Sequence, residues 1–560
     1  MRPAAGAVMA AEKFRFAPPY ELPHWPAPPR PSGAPRHHEV VIVGGGLSGL
    51  TLACDLAQRG VAAVVLDDDD TVGARGASSR GIVYAQKSLE VFERLGIYQR
   101  IAAKGTTWSV GKTFSGAEIV YGFNLQNSSV STQPPFINLQ QFYIEWFLVD
   151  RIMEVGQAEL RWKHRCAGIT ERGDHVEVQV DAPDGAYTLR TRFLVDASGA
   201  KSTIREQLQL DTHPSRSTDR WCISDVRFSK PLPTERHTWI DAPFNEGRAV
   251  WQHLMGDGVW RMDFQMDEHA DPQSVSRPEV AGSRLREQLG PGVEFEFVWI
   301  GPYQYRDHLL DQFRHGNIFF VGDSAHVVSP FGARGGNSGI QDANNLGWKL
   351  ALVLGWQAGE ALLDSYHAER HPAAKQNLEV TSRTARFLAP RSAAEHLMRR
   401  AVLGLAREHG FARGLVNAGR MSVANEYAPS PWLPQGGRTV QNLALRDAGG
   451  GSTSLMQLLR GGTRWLGLCF EPAAGEVAAA AQRLRSLPID LLAVGGPEAA
   501  LYDERGLLAR HLGAQAGNVA LVRPDAYLAA VESGLNPQRI AELLQRGLAA
   551  LTQEHEQEHD

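Results

Sequence analysis

The chain has 560 residues, more than the roughly 250 to 300 at which one hydrophobic core stops growing, so we expect two or three domains. Hydrophobic residues make up 43% and charged residues 21% of the sequence, as in ordinary globular proteins. A net charge of -5 gives no reason to expect nucleic acid or an anionic membrane as a partner.

The cysteines give no sign of a metal or redox site. They are Cys54, Cys166, Cys222 and Cys469. No two of them form a C-x-x-C pair, so neither a zinc site nor a dithiol motif is indicated. Reduced thiols in a cytoplasmic protein are the simplest interpretation.

Two apolar stretches bear on export and membrane insertion. The amino-terminal run is short and interrupted by Glu12 and Lys13, unlike a secretory signal peptide. The run at 346–363 contains Lys349 and Glu360, and it predicts a core helix rather than a membrane span. We therefore expect a cytoplasmic protein with no membrane among its partners.

Residues 1–38 are rich in proline, which resists helix interiors and donates no hydrogen bond to a sheet, so an extended arm is predicted. From Glu39 the sequence EVVIVGGGLSGLTLACDLAQRGVAAVVLDDDD reads as an apolar strand, a glycine turn, an amphipathic helix and a second strand. That order is typical of a βαβ unit.

The glycine turn has the spacing of a dinucleotide-binding site. Gly44, Gly46 and Gly49 form G-x-G-x-x-G, in which glycines allow a tight turn and close approach of a pyrophosphate. The helix that opens with Leu47 and Ser48 offers N–H groups and a positive dipole end to the phosphates.

The second strand of this unit ends at Asp67, whose carboxylate can accept hydrogen bonds from a ribose hydroxyl. With strand, helix and acid in register, the sequence predicts dinucleotide binding; a merely structural glycine turn is the alternative. The unit does not by itself distinguish FAD from a nicotinamide dinucleotide.

The middle of the chain, 216–312, alternates short strand-like segments with turn residues and predicts an antiparallel sheet that walls a pocket. Aromatic residues in such a sheet are more often core than contact residues, so none of them is assigned a catalytic role. The candidate wall residues are Trp251, His253, Trp260, Arg261, Tyr303 and Tyr305.

At Asn317 the sequence NIFFVGDSAHVVSPFGARGGNSGIQDANNLGWKL combines a strand, a glycine-rich loop and a long helix, which alone would permit a purely structural interpretation. This segment resembles the flavin-binding motif of the class A flavoprotein monooxygenases, the family of p-hydroxybenzoate, phenol and hydroxyphenylpropionate hydroxylases. The resemblance extends from about Glu39 to Pro372 and implies that the dinucleotide is FAD.

The resemblance implies roles for residues of this second segment. Asp323 takes the place of the aspartate that bonds the ribityl chain, and the loop Pro330 to Gly339 that of the segment beside the isoalloxazine ring. A helix starting at Asn337 would direct its positive end toward N1 and the C2 carbonyl of the ring. The implied cofactor-binding residues here are Gly322, Asp323, Pro330, Gly335, Gly336 and Asn337.

Further matches lie between the two motifs. Arg80, in SSRGIVYAQK, and Gln141, in INLQQFYIEW, take the places of an arginine near the flavin and a glutamine that contacts FAD. Without the resemblance, both would be interpreted as polar surface residues.

The stretch FLVDASGAKSTIREQLQL resembles the motif that serves FAD and nicotinamide together, with Gly199, Ser202 and Arg205 in register. It departs at Ser198, where the family has aspartate, and Asp196 lies two residues upstream. The departure leaves nicotinamide binding with less support than FAD binding.

The carboxy-terminal part begins with an arginine-rich helical segment and a linker at 381–435. Residues 436–548 resemble the thioredoxin-like domain of the phenol and hydroxyphenylpropionate hydroxylase branch, most clearly in LVRPDAYLAA. Because Cys469 is the only cysteine there, we expect a structural domain, located at the subunit interface of a homodimer. Residues 549–560 are a tail.

The predicted architecture is an α/β FAD-binding domain of the GR2 Rossmann-like type, formed by 39–215 and 313–380. The antiparallel substrate-binding sheet is inserted at 216–312, and the thioredoxin-like α/β domain follows.

The resemblance implies a monooxygenase in which NADH or NADPH reduces FAD, O2 forms a C4a-hydroperoxyflavin, and a phenolic small molecule is hydroxylated. One alternative is another oxidative flavoenzyme on the same scaffold, such as a polyketide oxygenase or a reductase. The halogenase segment Trp-x-Trp-x-x-Ile is absent. The alternative of another class is a non-catalytic, flavin-binding redox sensor.

Overall fold

The computed structural model describes residues 20–73, 81–125, 129–210, 220–304, 307–416 and 421–549. Two residues singled out above, Arg80 and Tyr305, lie outside this range, as do 1–19 of the predicted arm and 550–560 of the predicted tail. The described part of the arm runs along the first sheet, where Trp25 stacks on Trp162 with ring centroids 4.8 Å apart.

The strands before the middle of the chain are β1 (His37–Val43), β2 (Ala63–Leu66), β3 (Val83–Ala85), β4 (Thr106–Trp108), β5 (Val110–Ser115), β6 (Glu118–Asn124), β7 (Phe136–Asn138), β8 (Ala158–Arg161), β9 (Arg165–Glu171), β10 (Val176–Ala182) and β11 (Gly185–Asp196). Those that follow are β12 (Arg220–Phe228), β13 (Arg236–Ala242), β14 (Arg248–Leu254), β15 (Trp260–Met266), β16 (Phe295–Gln304), β17 (His308–Leu309), β18 (Arg314–His315), β19 (Ile318–Phe320) and β20 (His326–Val327). The carboxy-terminal strands are β21 (Arg438–Thr439), β22 (Ala444–Asp447), β23 (Ser452–Ser454), β24 (Trp465–Phe470), β25 (Ile489–Val494), β26 (Leu501–Tyr502), β27 (Val519–Val522) and β28 (Tyr527–Glu532).

The helices up to the second flavin motif are α1 (Leu47–Gln58), α2 (Gln86–Leu95), α3 (Tyr98–Lys104), α4 (Gln141–Val155), α5 (Thr203–Gln207), α6 (Pro272–Val275) and α7 (Pro278–Leu289). Those that follow are α8 (Gly335–Leu354), α9 (Asp364–Leu388), α10 (Ala393–Ala406), α11 (Gly410–Leu415), α12 (Leu455–Leu458), α13 (Glu476–Arg483), α14 (Leu507–Leu512) and α15 (Pro537–Gly547).

The first sheet has the strand order β18-β19-β11-β1-β2-β8, with β10 paired to β11 and β9 paired to β10. Strand β1 is parallel to both β2 and β11, and its residues 40–43 are buried, as is typical of a parallel strand covered on both faces. Because α1 connects β1 to β2, the predicted βαβ unit is present.

The second sheet has the order β16-β12-β15-β14-β13-β5-β6. The predicted strands GRAVWQHL, GVWRMDFQM and VEFEFVWIG are β14, β15 and β16. The strands predicted within 216–312, β12 to β16, pair antiparallel with one another. In addition, β13 pairs in parallel with β5, which lies outside that range. Strands β5 and β6 come from a segment that the sequence analysis assigned to the FAD-binding domain. Their pairing with β13 could not be predicted, because strands so far apart in the chain leave no local sequence pattern.

The third sheet has the order β21-β28-β27-β24-β25-β26-β22-β23. Strands β24 and β25 are parallel, and α13 connects them. The β24–β27 and β27–β28 pairs are antiparallel. The hydrophobic core of this sheet is continuous with that of the first sheet, because Trp465 and Ile540 belong to the same buried cluster as β1 and α8.

The helical region between the second and third sheets differs from expectation in two places. Helix α8 ends at Leu354, so the run at 346–363 is not one continuous helix, because the chain turns at Gly355. Helix α9 continues to Leu388, past the boundary expected at 380. Near the linker, Tyr427 pairs with Gly437 in an isolated bridge, so this part of the chain is anchored.

Candidate flavin-binding site

The first glycine turn is shaped by close contacts between backbone atoms. Gly44 has φ +110°, and a Cβ there would lie 2.4 Å from the Ala197 carbonyl oxygen. A Cβ on Gly49 would lie 2.0 Å from the Gly44 carbonyl oxygen. Both distances are shorter than any van der Waals contact, so only glycine fits at either position.

The amino terminus of α1 follows directly. Gly46 is its N-cap and provides no side-chain cap, and the first turn carries no acidic residue. Leu47 is buried beneath the turn, whereas Gly46 and Ser48 are partly exposed. The Leu47 N–H faces the Glu145 carboxylate, and the other N–H groups at this helix end can bind an external anion.

Ser48 joins the two predicted motifs. A Cβ on Gly322 or on Gly339 would lie 2.3 Å from the Ser48 Oγ. Residues almost three hundred positions apart are thus in contact, and the first glycine turn lies directly beside the second glycine segment.

Asp67 follows β2 and faces the same turn. Its Oδ2 accepts a hydrogen bond from the Gly45 N–H at 2.6 Å, and its Oδ1 accepts one from the Asp69 N–H at 2.8 Å. Burial raises the pKa of Asp67 to about 6. Each carboxylate oxygen has a further lone pair that a ribose hydroxyl could use.

Sequence reasoning missed Glu145, on α4. Its Oε2 accepts a hydrogen bond from the Gly73 N–H at 2.8 Å, and its Oε1 accepts one from the Gln141 side chain at 2.8 Å. Burial raises the pKa of Glu145 to about 7, opposed by the hydrogen bond from Gln141. The only available signal was its position four residues after Gln141.

Gln141 is the first residue of α4, and its Oε1 accepts a hydrogen bond from the Gly81 N–H at 3.0 Å. The side chain thus holds the segment that follows Arg80, which lies outside the described residues. Gln141 therefore lies between Glu145 and the predicted arginine segment.

The second motif begins with a tight turn at Gly322–Ser324, where Gly322 has φ +62°. The Gly322 N–H donates to Asp342 Oδ2 at 3.1 Å, and His326 Nε2 lies 2.6 Å from the same oxygen. Burial would raise the pKa of Asp342, but His326 and Arg370 lower it to about 2. Asp323, next in the turn, is partly exposed.

The following loop presents backbone toward the site. Pro330 and Gly336 are exposed, and Gly335 is partly exposed. A Cβ on Gly336 would lie 3.3 Å from Leu47 Cδ2, so the loop packs against the first turn. Helix α8 begins at Gly335, two residues before the predicted start, and has no side-chain cap.

Asn337 differs from its neighbours because it is buried. Its Oδ1 accepts hydrogen bonds from the Ala85 N–H and the Ser88 hydroxyl at 2.9 and 2.6 Å. Its Nδ2 donates to the carbonyl oxygens of Val83 and Ala333 at 2.9 and 2.6 Å. The amide group is thus satisfied by protein groups and fastens α8 to β3.

The segment after β11 is attached to the second motif. Ser198 donates through its hydroxyl to Asp196 Oδ1 at 2.6 Å, and Ser202 donates to the other carboxylate oxygen. Arg205 donates to the Ser324 carbonyl oxygen at 2.8 Å. Gly199 has φ +89°. The buried Asp196 thus organises the turn that contains Ser198.

An aromatic surface lies beside the glycine-rich loop. Phe331 contacts the Trp251 ring edge-on, with centroids 5.0 Å apart, and Trp251 stacks on Trp221 at 4.8 Å. These residues and the partly buried Tyr303 share one apolar cluster with α10. We call the sheet face that carries Trp251 the inner face.

The strand register places the other wall residues. His253 lies opposite Arg261, two residues along from Trp251, so both belong to the inner face. Trp260 is adjacent to Arg261 in β15, so it points to the outer face and packs against Phe228. The expectation that Trp260 lines the pocket is therefore wrong.

The inner face carries buried polar groups that sequence reasoning did not single out. Asp263 lies opposite Trp251, and burial raises its pKa to about 7 against the effect of Arg261. Burial lowers the pKa of His253 well below its usual value. His253 Nδ1, Asp263 Oδ1 and the hydroxyls of Thr113 and Thr238 have no hydrogen-bond partner among the described residues.

The glycine turns and uncapped helix ends fit FAD, because a flat ring and a pyrophosphate need backbone approach without Cβ atoms. Across the described ranges, no cluster of His, Cys, Asp and Glu suited to a metal ion is found. No helix in this part of the chain is both long and apolar enough to cross a membrane.

Comparison with known proteins agrees with this geometry. The family profile described as FAD binding domain matches residues 37–381. The 6-methylpretetramide 4-monooxygenase of Streptomyces rimosus is 30% identical over 519 residues, which cover 88% of this chain and 90% of that protein.

Two other proteins are similar. The 3-(3-hydroxy-phenyl)propionate/3-hydroxycinnamic acid hydroxylase of Mycolicibacterium smegmatis is 26% identical over 357 residues, covering 64% of this chain and 62% of that one. The crystal structure of the flavin-dependent monooxygenase PieE in complex with FAD and substrate has a TM-score of 0.76 at 21% identity, covering 92% and 100% of the two chains. That likeness supports the fold.

Proposed function

From the premise that the chain belongs to the FAD binding domain family, as a class A flavoprotein aromatic monooxygenase, we propose that it hydroxylates a fused-ring phenol. The observation that carries this proposal is the contact between Ser48 and Gly322. It brings both flavin motifs together beside the aromatic inner face.

When bound, FAD supplies the oxygen chemistry, with NADH or NADPH as the source of electrons and O2 as co-substrate. The α1 turn would hold the pyrophosphate, Asp67 the ribose and Asp323 the ribityl chain. The proposed contacts extend to Gly44, Gly46, Leu47, Ser48, Gly49, Arg80, Gln141, Gly322, Pro330, Gly335, Gly336 and the backbone of Asn337.

The inner face would bind the substrate. Trp251, Trp221 and Phe331 provide aromatic surface for flat rings. Unpartnered buried polar atoms are rare in folded proteins, so the free acceptors and donors of His253 and Asp263 are suited to a hydroxyl of the substrate or a water beside it. A phenol held this way could transfer its hydroxyl proton to Asp263. Loss of that proton would make the ring carbon more nucleophilic toward the oxygen atom that is to be inserted.

A fused-ring substrate is favoured over a single ring by the extent of the similarity. The 6-methylpretetramide 4-monooxygenase is matched over 90% of its length, whereas the hydroxyphenylpropionate hydroxylase is matched over 62%. This refines the phenolic substrate expected from sequence toward the polyketide-type alternative.

The architecture expected from sequence becomes part of the proposal. We propose a discontinuous FAD-binding domain at 39–215 and 313–380, a substrate-binding sheet at 216–312 and a thioredoxin-like domain at 436–548. The β28-β27-β24-β25 order, with α13 linking the parallel pair, supports the last of these. A homodimer remains part of the proposal.

The test is turnover with defined phenols. The purified flavoprotein is mixed with NADH or NADPH and either a single-ring phenol or an anthracenol, and products formed under 18O2 are identified by mass. We expect substrate-stimulated NAD(P)H oxidation and one labelled oxygen per product with the fused-ring compound. Anaerobic turnover to a reduced organic product would exclude a hydroxylase, and bound flavin without any turnover would favour a redox sensor.

The chain offers a matched pair of variants for the substrate surface. Trp251 and Trp260 are both buried and lie on neighbouring strands, but on opposite faces. Trp251→Phe should change KM for the phenol several-fold, whereas Trp260→Phe should affect thermal stability only. Equal effects of the two variants on KM would contradict binding at the inner face.

A further inference from the structure

A buried network of charged side chains connects the third sheet to the turn of the second flavin motif. We propose that Arg523, at the end of β27, is a positioning residue for the flavin site: it makes the carboxy-terminal unit a structural part of that site. Arg523 is remote in sequence from both flavin motifs, and nothing in its surroundings suggests contact with FAD.

The network begins with Arg523 and Glu369. The Arg523 guanidinium donates two hydrogen bonds to the Glu369 carboxylate, at 2.6 and 2.9 Å. A bidentate pair of this kind is both strong and geometrically specific. Arg523 also donates to Asp525 Oδ1 at 3.0 Å. The side chains of all three residues are at most 2% exposed.

Glu369 connects Arg523 to α8 by hydrogen bonds. Its Oε2 accepts hydrogen bonds from Lys349 Nζ at 2.9 Å and from Asn345 Nδ2 at 2.6 Å. Lys349 and Asn345 lie one turn apart on α8, the helix that follows the glycine-rich loop. Removing Arg523 would therefore leave the negative charge of Glu369 with fewer neutralising partners inside the core. The same carboxylate orients Lys349 and Asn345 of α8.

Tyr427 bridges this group to the flavin turn. Its hydroxyl lies 3.2 Å from Asn345 Nδ2 and 3.5 Å from Arg370, and its ring stacks on Tyr527 of the third sheet at 4.3 Å. Arg370 donates to Asp342 at 2.7 Å, and Asp342 accepts the Gly322 N–H.

A second connection runs through the backbone of the same β27–β28 turn. Lys87 Nζ donates to the Ala526 carbonyl oxygen at 3.2 Å, and Asn344 donates to the Asp525 carbonyl oxygen at 3.1 Å. Lys87 belongs to α2, whose residue Ser88 bonds Asn337. The β27–β28 turn thus contacts α8 directly at Asn344 and, through α2, is connected to Asn337 in the first turn of α8.

Buried charges tolerate little rearrangement because each must keep its partner in a medium of low polarity. A change at Arg523 should therefore shift Asn345, Arg370 and Asp342, and with them the Gly322 turn that faces the cofactor. Residues in such networks typically alter a distant equilibrium by about 0.5 to 2 kcal/mol, which corresponds to about a two- to thirtyfold change in affinity.

The experiment compares Arg523→Met with Arg539→Met. Arg539 lies in the same unit, its side chain is 44% exposed, and it pairs with Glu532 and Glu542. FAD is removed from the full-length protein, and its dissociation constant is measured by fluorescence quenching on rebinding, together with the visible spectrum and the melting temperature of the apoprotein. No substrate is needed, so the result is independent of the proposed hydroxylation.

We expect FAD binding by Arg523→Met to weaken at least threefold and its flavin spectrum to shift, while Arg539→Met resembles the parent. A folded Arg523→Met protein with the parent's FAD affinity and spectrum would overturn the proposal, even if its melting temperature fell. If Arg523→Met does not fold, Arg523→Lys decides, because it keeps the positive charge but cannot form the bidentate pair with Glu369: weaker FAD binding supports the proposal, and the parent's FAD affinity overturns it.

Discussion

At the scale of single residues, the candidate site depends on positions where only glycine fits, because a side chain would overlap a neighbouring atom. Gly44 and Gly49 have no space for a Cβ because a neighbouring backbone oxygen occupies it, and Gly322 and Gly339 leave space for Ser48. The shape of the turn follows from these contacts, whatever side chains surround it.

Gly49→Ala should abolish stable FAD binding, because its Cβ would overlap the Gly44 carbonyl oxygen and force the turn apart. We expect a loss of about 1 to 3 kcal/mol in unfolding free energy, measured by denaturant titration, and purification without yellow colour. Gly404→Ala is the control: nothing lies within 4 Å of the added Cβ, and α10 should be unchanged or slightly stabilised.

Glu145→Gln should change how stability depends on pH. Burial raises the pKa of Glu145 to about 7 from an ordinary 4.5, so the folded state prefers the protonated form. The stability that this preference contributes is lost as pH rises from about 4.5 through 7, which lowers the free energy of unfolding of the parent by up to about 3 kcal/mol. Relative to the parent, the variant should therefore gain stability between pH 5 and pH 8. Parallel pH profiles of the two proteins would contradict the assignment.

At the scale of elements, the site depends on how α8 is attached. The helix begins beside the glycine-rich loop, and Asn337 in its first turn bonds groups of β3, α2 and the loop. The second sheet meets the same loop through Phe331. The uncapped amino-terminal end of α8 is thus held in place by hydrogen bonds to neighbouring elements.

Asn337→Ala should destabilise the protein by about 2 to 4 kcal/mol, because it leaves several buried donors and acceptors without partners. Denaturant titration of apoprotein and holoprotein is the measurement, and FAD release should accelerate in parallel. Asn317→Ala removes one 3.4 Å hydrogen bond at an exposed position and should remain within about 0.5 kcal/mol of the parent. A similar small effect for Asn337→Ala would show that α8 is held by packing alone.

At the scale of the whole molecule, the first and third sheets share one hydrophobic cluster, and Trp348 of α8 meets Trp465 of β24 edge-on at 6.3 Å. Helix α8 is therefore covered by the carboxy-terminal unit. Such an interface is core-like, and its two sides are expected to unfold together.

A chain ending at residue 435 should not yield FAD-loaded protein, because it would expose Trp348 and leave Lys349 and Glu369 without Arg523. Expression of this shortened chain beside the full chain, followed by size-exclusion chromatography and flavin absorbance, is the measurement. A monodisperse shortened protein that retains a full complement of FAD would show that the flavin site is independent of the carboxy-terminal unit.

The sequence by itself determined the chemistry of the cofactor. The β1–α1–β2 unit, Asp67 and the second glycine segment are local patterns in which neighbouring residues specify a turn and a helix end, so they could be read without the fold. The resemblance of the second segment implied FAD, and the family match over residues 37–381 confirms FAD binding, whereas the role of Asp67 stays a prediction. The inner-face position of Trp251 and the outer-face position of Trp260 were not readable, because a wall position depends on the register between strands.

Only the tertiary structure decided which groups meet. Ser48 against Gly322, Glu145 beneath the pyrophosphate turn, the inward Asp263 and the path from Arg523 to Gly322 all join residues far apart in the chain. Burial and pairing of a charge depend on what packs around it in three dimensions, and no spacing in the sequence encodes that. For this protein, local backbone geometry specifies the flavin turns, and long-range packing specifies what orients them.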